Sequence, residues 1–139
     1  MEGLNPIVYS DTLKVRFSDL DPYGHVNSAF FLDYVISSRW NFLEKKLGVS
    51  AQDLIDKGLG FYLIKSEINY KRAIKGATEI RIESHASGVK RTKLYITFSM
   101  HNSENKVCSD GTLEFAIMNL KSGMPQGFPD WATYLFWET

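Results

Sequence analysis

Ser28-Ala-Phe-Phe-Leu-Asp-Tyr-Val-Ile-Ser-Ser-Arg-Trp-Asn-Phe-Leu-Glu-Lys-Lys-Leu47 contains neither proline nor glycine. Asn27 or Ser28 can cap the start of a helix here, and Gly48 can end it in a left-handed conformation. A helix of about 20 residues spans ~30 Å. Its polar positions in the first three turns, Asp33, Ser37, Ser38 and Asn41, fall on one narrow stripe. Phe30, Phe31, Leu32, Tyr34, Val35, Ile36, Trp40, Phe42 and Leu43 cover the rest. A helix apolar around most of its circumference is buried rather than laid on a surface. Other elements must wrap it.

Those elements read as strands. Thr12 to Ser18 alternates, with Leu13, Val15 and Phe17 on one face, the period-2 mark of a half-buried strand. After the helix, Phe61 to Tyr70 opens as a continuous apolar run and then alternates. Thr78 to Ala86 turns Ile80 and Ile82 inward, Arg91 to His101 does the same with Leu94, Ile96, Phe98 and Met100, and Lys106 to Met118 carries Val107, Leu113, Phe115 and Ile117. Gly76, Gly88 and the Asn102 to Asn105 turn mark short connections, as in an antiparallel meander. The order strand, loop, buried helix, four strands predicts an α+β fold in which a five-stranded antiparallel sheet curls around one long central helix. The aromatic tail from Lys121 to Thr139 is expected to pack on the body or on a neighbouring subunit. Residues 1–139 form one domain, with no internal repeat or linker to divide them.

Bulk composition narrows the function classes. The 44% hydrophobic and 14% aromatic content suits a packed core and excludes a disordered chain. Sixteen basic and sixteen acidic residues cancel, so no global field draws the protein to nucleic acid or to an anionic membrane. The single Cys108 cannot form an internal disulfide, and no apolar run approaches the ~20 residues of a membrane span. The N-terminus lacks the basic and apolar regions of a signal peptide, and a soluble cytoplasmic protein is the expectation. His25, His85 and His101 are too scattered for a ligand set, so no metal is expected. A Gly-x-Ser-x-Gly elbow and a P-loop are both missing from the sequence.

Chemistry concentrates in Asp19-Leu-Asp-Pro-Tyr-Gly-His-Val-Asn27, the loop that joins the first strand to the helix. The first N–H groups of a helix lack intrahelical partners, so those around Val26 to Ser28 can polarise a thioester carbonyl. A carboxylate just upstream can attack the carbonyl carbon or activate a water that does. Asp21 is the candidate, since Pro22 fixes the backbone beside it and Gly24 permits close approach. His25 can hydrogen-bond the carboxylate or the water, and the Asn27 amide can orient either. Asp19 is assigned to shaping the turn. The same residues also make an ordinary turn and a helix cap, and composition alone leaves both readings open.

Phe17-Ser-Asp-Leu-Asp-Pro-Tyr-Gly-His-Val-Asn27, then Ser-Ala-Phe-Phe-Leu-Asp-Tyr-Val and Arg39-Trp40, resembles the 4-hydroxybenzoyl-CoA thioesterase-like hotdog proteins, in particular their Gly-His-Val-Asn branch of acyl-CoA thioesterases. Asn69-Tyr-Lys-Arg-Ala-Ile-Lys-Gly76 and Gly88-x-x-x-Thr92 extend the likeness. The resemblance implies a hotdog fold, hydrolysis of an acyl-CoA to free acid and CoA, and a homodimer or homotetramer with its active site between subunits. It places the catalytic carboxylate on Asp21, acting as general base or nucleophile, and the motif histidine and asparagine on His25 and Asn27. Oxyanion and substrate contacts fall on Tyr23, Gly24, Val26 and Ser28. Ser28 departs from the second asparagine common in this branch, and Asp33, the only acid in the helix's first turns, is kept as a second candidate. No cofactor is implied beyond the CoA carried by the substrate. Arg72, Lys90, Arg91, Thr92 and Lys93 are candidates for its phosphates, although solvated strand ends carry lysine for solubility too. Two other readings stand beside this one. A hotdog hydratase or dehydratase resembles Asp-x-Asn-Pro-x-His, which Asp19-Leu-Asp-Pro-Tyr-Gly-His departs from, and a non-catalytic acyl-CoA-binding module needs the same pocket.

Overall fold

The helix forms, but in three pieces. In the computed structural model, which describes residues 2–139, a 3-10 turn at Ser28–Phe30 leads into α1, Phe31–Asn41, and a wider π-type turn at Phe42–Lys46 closes it. It stops at Gly48, where φ is +68°. Phe31, Tyr34, Val35, Ser38 and Phe42 bury one face, the i, i+3, i+4, i+7 spacing of a helix on a sheet. Ser38 is thus fully buried rather than on the polar stripe, and Arg39 beside it is buried as well. Leu32 and Ile36 are only half-buried and Trp40 is exposed, so one flank of the helix stays uncovered by its own chain.

The sheet that cradles α1 consists of β1 (Tyr9–Lys14), β2 (Leu59–Tyr70), β3 (Glu79–Lys90), β4 (Lys93–His101) and β5 (Val107–Asn119), with a two-residue β6 at Met124–Pro125. All neighbours are antiparallel in the order β1-β3-β4-β5-β2, and β6 adds to β5. A meander therefore covers only β3 to β5. β2 crosses to the far side of β5, so the stretch holding Gly76 is a crossover and not a turn between paired strands. Gly88 lies inside β3 at a bulge opposite Tyr95, and the tight turn falls at Arg91, with φ +56°. A bulge inserts one residue without ending a strand, so glycine there reads like a turn in sequence. A short helix, α2 (Ala51–Asp56), opens on a capping box between Ser50 and Asp53 and fills the link from α1 to β2.

β1 ends earlier than the alternation suggested. After Lys14, the Val15 N–H bonds to Thr78 O at 3.0 Å, and the chain coils into a 3-10 turn at Phe17–Asp19. That turn swings Asp19 inward and leaves Phe17 89% exposed, where strand alternation would bury it. The core between α1 and the sheet is made by Val35, Phe42, Ile82, Met100, Leu113 and Ile117, all fully buried. Burying side chains of this size contributes about 1.5–3 kcal/mol each. The tail does pack on the body. Phe136 meets Phe61 edge-on at 5.5 Å and Trp137 at 6.0 Å, and Ile7 N–H bonds to Phe136 O.

β2 is a long edge strand whose first half, Leu59 to Ile64, is apolar. Phe61 packs against the core beside Phe136, whereas Tyr62 and Ile64 are 53% and 51% exposed, so the apolar run is split between core and open surface. Long, open hydrophobic edges are templates for pairing with another strand. Among the described residues no helix is long and apolar enough to cross a membrane.

Candidate active site at the helix N-terminus

Leu20 to Asn27 folds as a miniature hairpin. Leu20 bridges Val26, and Asp21 N–H bonds to His25 O at 2.7 Å. Its outer arm docks on the crossover through Val26 N–H to Ile74 O at 2.8 Å and Gly76 N–H to Gly24 O at 2.9 Å. Gly24 takes φ +77°, a conformation that a residue with a Cβ adopts only with strain. The loop is therefore held by backbone bonds on both sides, a rigid mount for whatever side chains it carries.

Asp21 sits at the neck of that hairpin and is half-buried. Its Oδ1 accepts from Tyr23 N–H at 2.9 Å and His25 N–H at 3.1 Å, and its Oδ2 accepts no hydrogen bond from the described residues. One oxygen anchors the carboxylate and the other is available to a ligand. The His25 link to Asp21 runs through the backbone N–H, and the imidazole makes no hydrogen bond among the described residues. Asn27 Oδ1 accepts from Ala29 N–H at 3.0 Å, so Asn27 caps the helix and occupies one of the first N–H groups. The Ser28 N–H, at the first helical position, has no intrahelical acceptor by construction. Tyr23 is 84% exposed, while Val26 is buried under the loop.

Asp19 has a larger structural part than turn-shaping. It is buried, and its Oδ2 accepts from Tyr34 Oη at 2.7 Å and Arg16 Nε at 2.6 Å. Burial pushes its pKa up, but the hydrogen bonds from Tyr34 and Arg16 outweigh that, and the carboxyl is held below its usual range. Arg16 also pairs with Asp33 at 2.6 Å. Asp33 is thereby committed to the network that clamps the end of β1 to α1. The sequence pattern placed Arg16 on a solvated strand face and Tyr34 in an apolar band, so neither showed as a polar partner. Tyr70 was missed too: its ring packs on Phe31 at 5.1 Å and its Oη lies 3.5 Å from Ser28 O. A strand-end tyrosine has no signal in sequence that would reveal this.

The cationic candidates do not gather in one place. Lys90, Arg91, Thr92 and Lys93 line a shallow pocket of about 410 Å³ with Tyr95 at the β3–β4 turn, and Lys93 pairs with Glu114 at 3.4 Å. Arg72 lies where β2 ends, its N–H bonded to Cys108 O. Since Lys93 faces Ala116 and His101 faces Val107, these sites are at opposite ends of β4, ~26 Å apart at about 3.3 Å per residue. Arg72 shares the end with the Asp21 loop. A second cavity, about 250 Å³ and mostly apolar, opens between the far half of α1 and the sheet. Among the described residues no group of three His, Cys, Asp or Glu side chains is placed to hold a metal ion, and Cys108 is buried, with burial raising its thiol pKa.

A sheet curled about one helix, with a rigid acid-bearing loop at that helix's N-terminus, defines the hotdog class. The chain belongs to the thioesterase-like superfamily, whose family model matches residues 15–136. The long-chain acyl-CoA thioesterase FadM of Escherichia coli (strain K12) is 27% identical over 111 residues, covering 79% of this chain and 83% of FadM. The hypothetical protein SAV2348 of Staphylococcus aureus, solved in complex with CoA, superposes with a TM-score of 0.82 at 11% identity, over 95% of this chain and 83% of that one. The DHNA-CoA thioesterase of the same organism gives a TM-score of 0.78 at 18% identity, over 89% and 85% of the two chains. At these identities the two structures establish the fold.

Proposed function

We propose that this protein hydrolyses the thioester of an acyl-CoA, with Asp21 as general base or nucleophile and the N-terminus of the central helix as oxyanion hole. The observation that carries the reading is the Asp21 carboxylate, anchored through Oδ1 with Oδ2 unbonded, just upstream of a helix start whose Ser28 N–H has no intrahelical acceptor. A thioester carbonyl oxygen set against that N–H gains negative charge as its carbon is attacked. With Asp21 as base, water gives a proton to the carboxylate and its oxygen to the carbonyl carbon. The C–S bond then breaks, and the CoA thiolate takes up a proton. With Asp21 as nucleophile, its attack breaks the C–S bond and expels the CoA thiolate, which takes up a proton, and water then hydrolyses the mixed anhydride to the free acid and the Asp21 carboxylate. His25, Asn27, Tyr23, Gly24 and Val26 surround this point as binding and positioning groups.

The acting unit is a homodimer or a pair of dimers. The exposed β2 edge, with Tyr62 and Ile64, and the uncovered Leu32, Ile36 and Trp40 flank supply apolar surface for a second copy. The separation of the Lys90 to Lys93 turn from the Asp21 loop supports a site built from two chains, with those cations meeting the CoA phosphates. The test is thiol release from short, long and aromatic acyl-CoAs by the wild type and by Asp21→Asn. Asparagine keeps the Oδ1 acceptor for the turn, so the fold should persist while turnover falls about 10²–10⁴-fold. No cleavage by the wild type, hydration of crotonyl-CoA in its place, or an equally fast variant would each refute the reading.

A further inference from the structure

Arg39 is the one charged residue lining the apolar cavity along α1, and it is more than nine-tenths buried. Its Nη1 donates to Ser84 Oγ at 3.0 Å, the single hydrogen bond its side chain makes among the described residues. A guanidinium carries five N–H donors in a planar fork, so Nε and Nη2 are left unbonded. No carboxylate forms an ion pair with it among the described residues. The rings of Phe42 and Phe136 lie 4.5 and 5.8 Å from its Cζ, and such contacts offset part of the desolvation without supplying a counter-charge. Burial lowers its pKa to about 10, which leaves it charged at neutral pH.

The unbonded Nε and Nη2 are not sealed in the interior but open to the cavity, and a largely buried cation without a counter-charge favours an anion there. Ile36, Leu43, Leu94, Ile96 and Phe115 make the walls around it apolar, so the cavity combines a hydrocarbon lining with one unpaired positive charge. Arg39 lies 11 residues after Ser28, which is ~16 Å along the helix axis from the oxyanion position. A chain attached to a thioester at the helix start would bring its far end, not its carbonyl, to this charge.

We propose that Arg39 receives a terminal carboxylate on the acyl chain, so that the preferred substrates are CoA thioesters of dicarboxylic acids. This inference rests on the acyl-CoA reading of the site. A planar carboxylate takes two parallel N–H bonds from such a fork, which an alcohol or a methyl end cannot.

The test reads binding rather than turnover. Two hydrolysis-inert CoA thioethers of equal chain length, one ending in methyl and one in carboxylate, are titrated calorimetrically into the wild type and Arg39→Met. The carboxylate tail should bind the wild type roughly tenfold or more tightly than the methyl tail, and the variant should reverse that order. Equal binding, a preference for methyl, or no binding of either thioether overturns the inference, and the wild-type pair decides it even if the variant does not fold. If the carboxylate preference holds while no acyl-CoA is cleaved, hydrolysis fails and this inference stands. Cleavage without the preference overturns this inference and leaves hydrolysis standing.

Discussion

The two ends of the central helix are built by different physics. At its N-terminus Asp19, Arg16, Tyr34 and Asp33 form a short-range polar network, and the Asp21 loop is tied down by backbone bonds on both faces. In its other half the helix rests on Phe42, the aromatic tail and the sheet, with a cavity beside a scarcely bonded Arg39. Hydrogen bonds fix direction, which matches the carbonyl alignment proposed for this end. Apolar packing fixes volume and tolerates variation in what fills it, which matches the acyl chain proposed for the cavity there.

This contrast can be broken from either side. Phe42→Ala removes a fully buried ring under the apolar half and should cost about 3–5 kcal/mol of stability in urea denaturation. A loss under about 1 kcal/mol would mean that the helix is held mainly from its polar end. Tyr34→Phe acts on that polar end by removing a donor to Asp19, and the destabilisation should be smaller than at Phe42. Its pH dependence follows from the lowered pKa of Asp19. A carboxyl depressed in the folded state contributes stability above its unfolded pKa of about 3.9, and that contribution is lost as pH falls through the lower folded value. The gap between wild type and Tyr34→Phe should therefore be full at neutral pH and shrink below about pH 4; a gap that does not change with pH would separate Tyr34 from the Asp19 charge. Asn27→Ala deletes the cap on Ala29 N–H and should cost about 1 kcal/mol. Because it also uncovers a helix N–H beside the proposed oxyanion position, its turnover should be compared with its stability. A rate change with no stability change would argue that Asn27 acts on substrate and not as a cap.

Much of the fold was legible because each strand carries its own period. Ile80, Ile82, Leu94, Ile96, Phe98 and Met100 alternate, and all are buried. The helix start and stop could be read from Asn27 and Gly48. The alternation failed at Phe17 because a 3-10 turn intervened, and at Gly88 because a bulge and a turn favour the same residue. The candidate site was readable as a composition at a strand-to-helix junction. Its internal wiring was not, since Tyr34 Oη meets Asp19 across 15 positions and Arg39 meets Ser84 across 45.

The amino-acid sequence by itself determined the elements, their inward faces, the acid-bearing loop before the helix and the family that loop resembles, because these depend on spacing within one segment. Tertiary structure alone decided the strand order, with β2 crossing to an open edge, the tying of Asp19 to Arg16 and Tyr34, and the placing of Arg39 beside a cavity with Ser84 as its one hydrogen-bond partner among the described residues. Periodicity tells a side chain which face it shares, but its partners lie on segments brought close only by folding, and partners set both its charge environment and what remains unpaired.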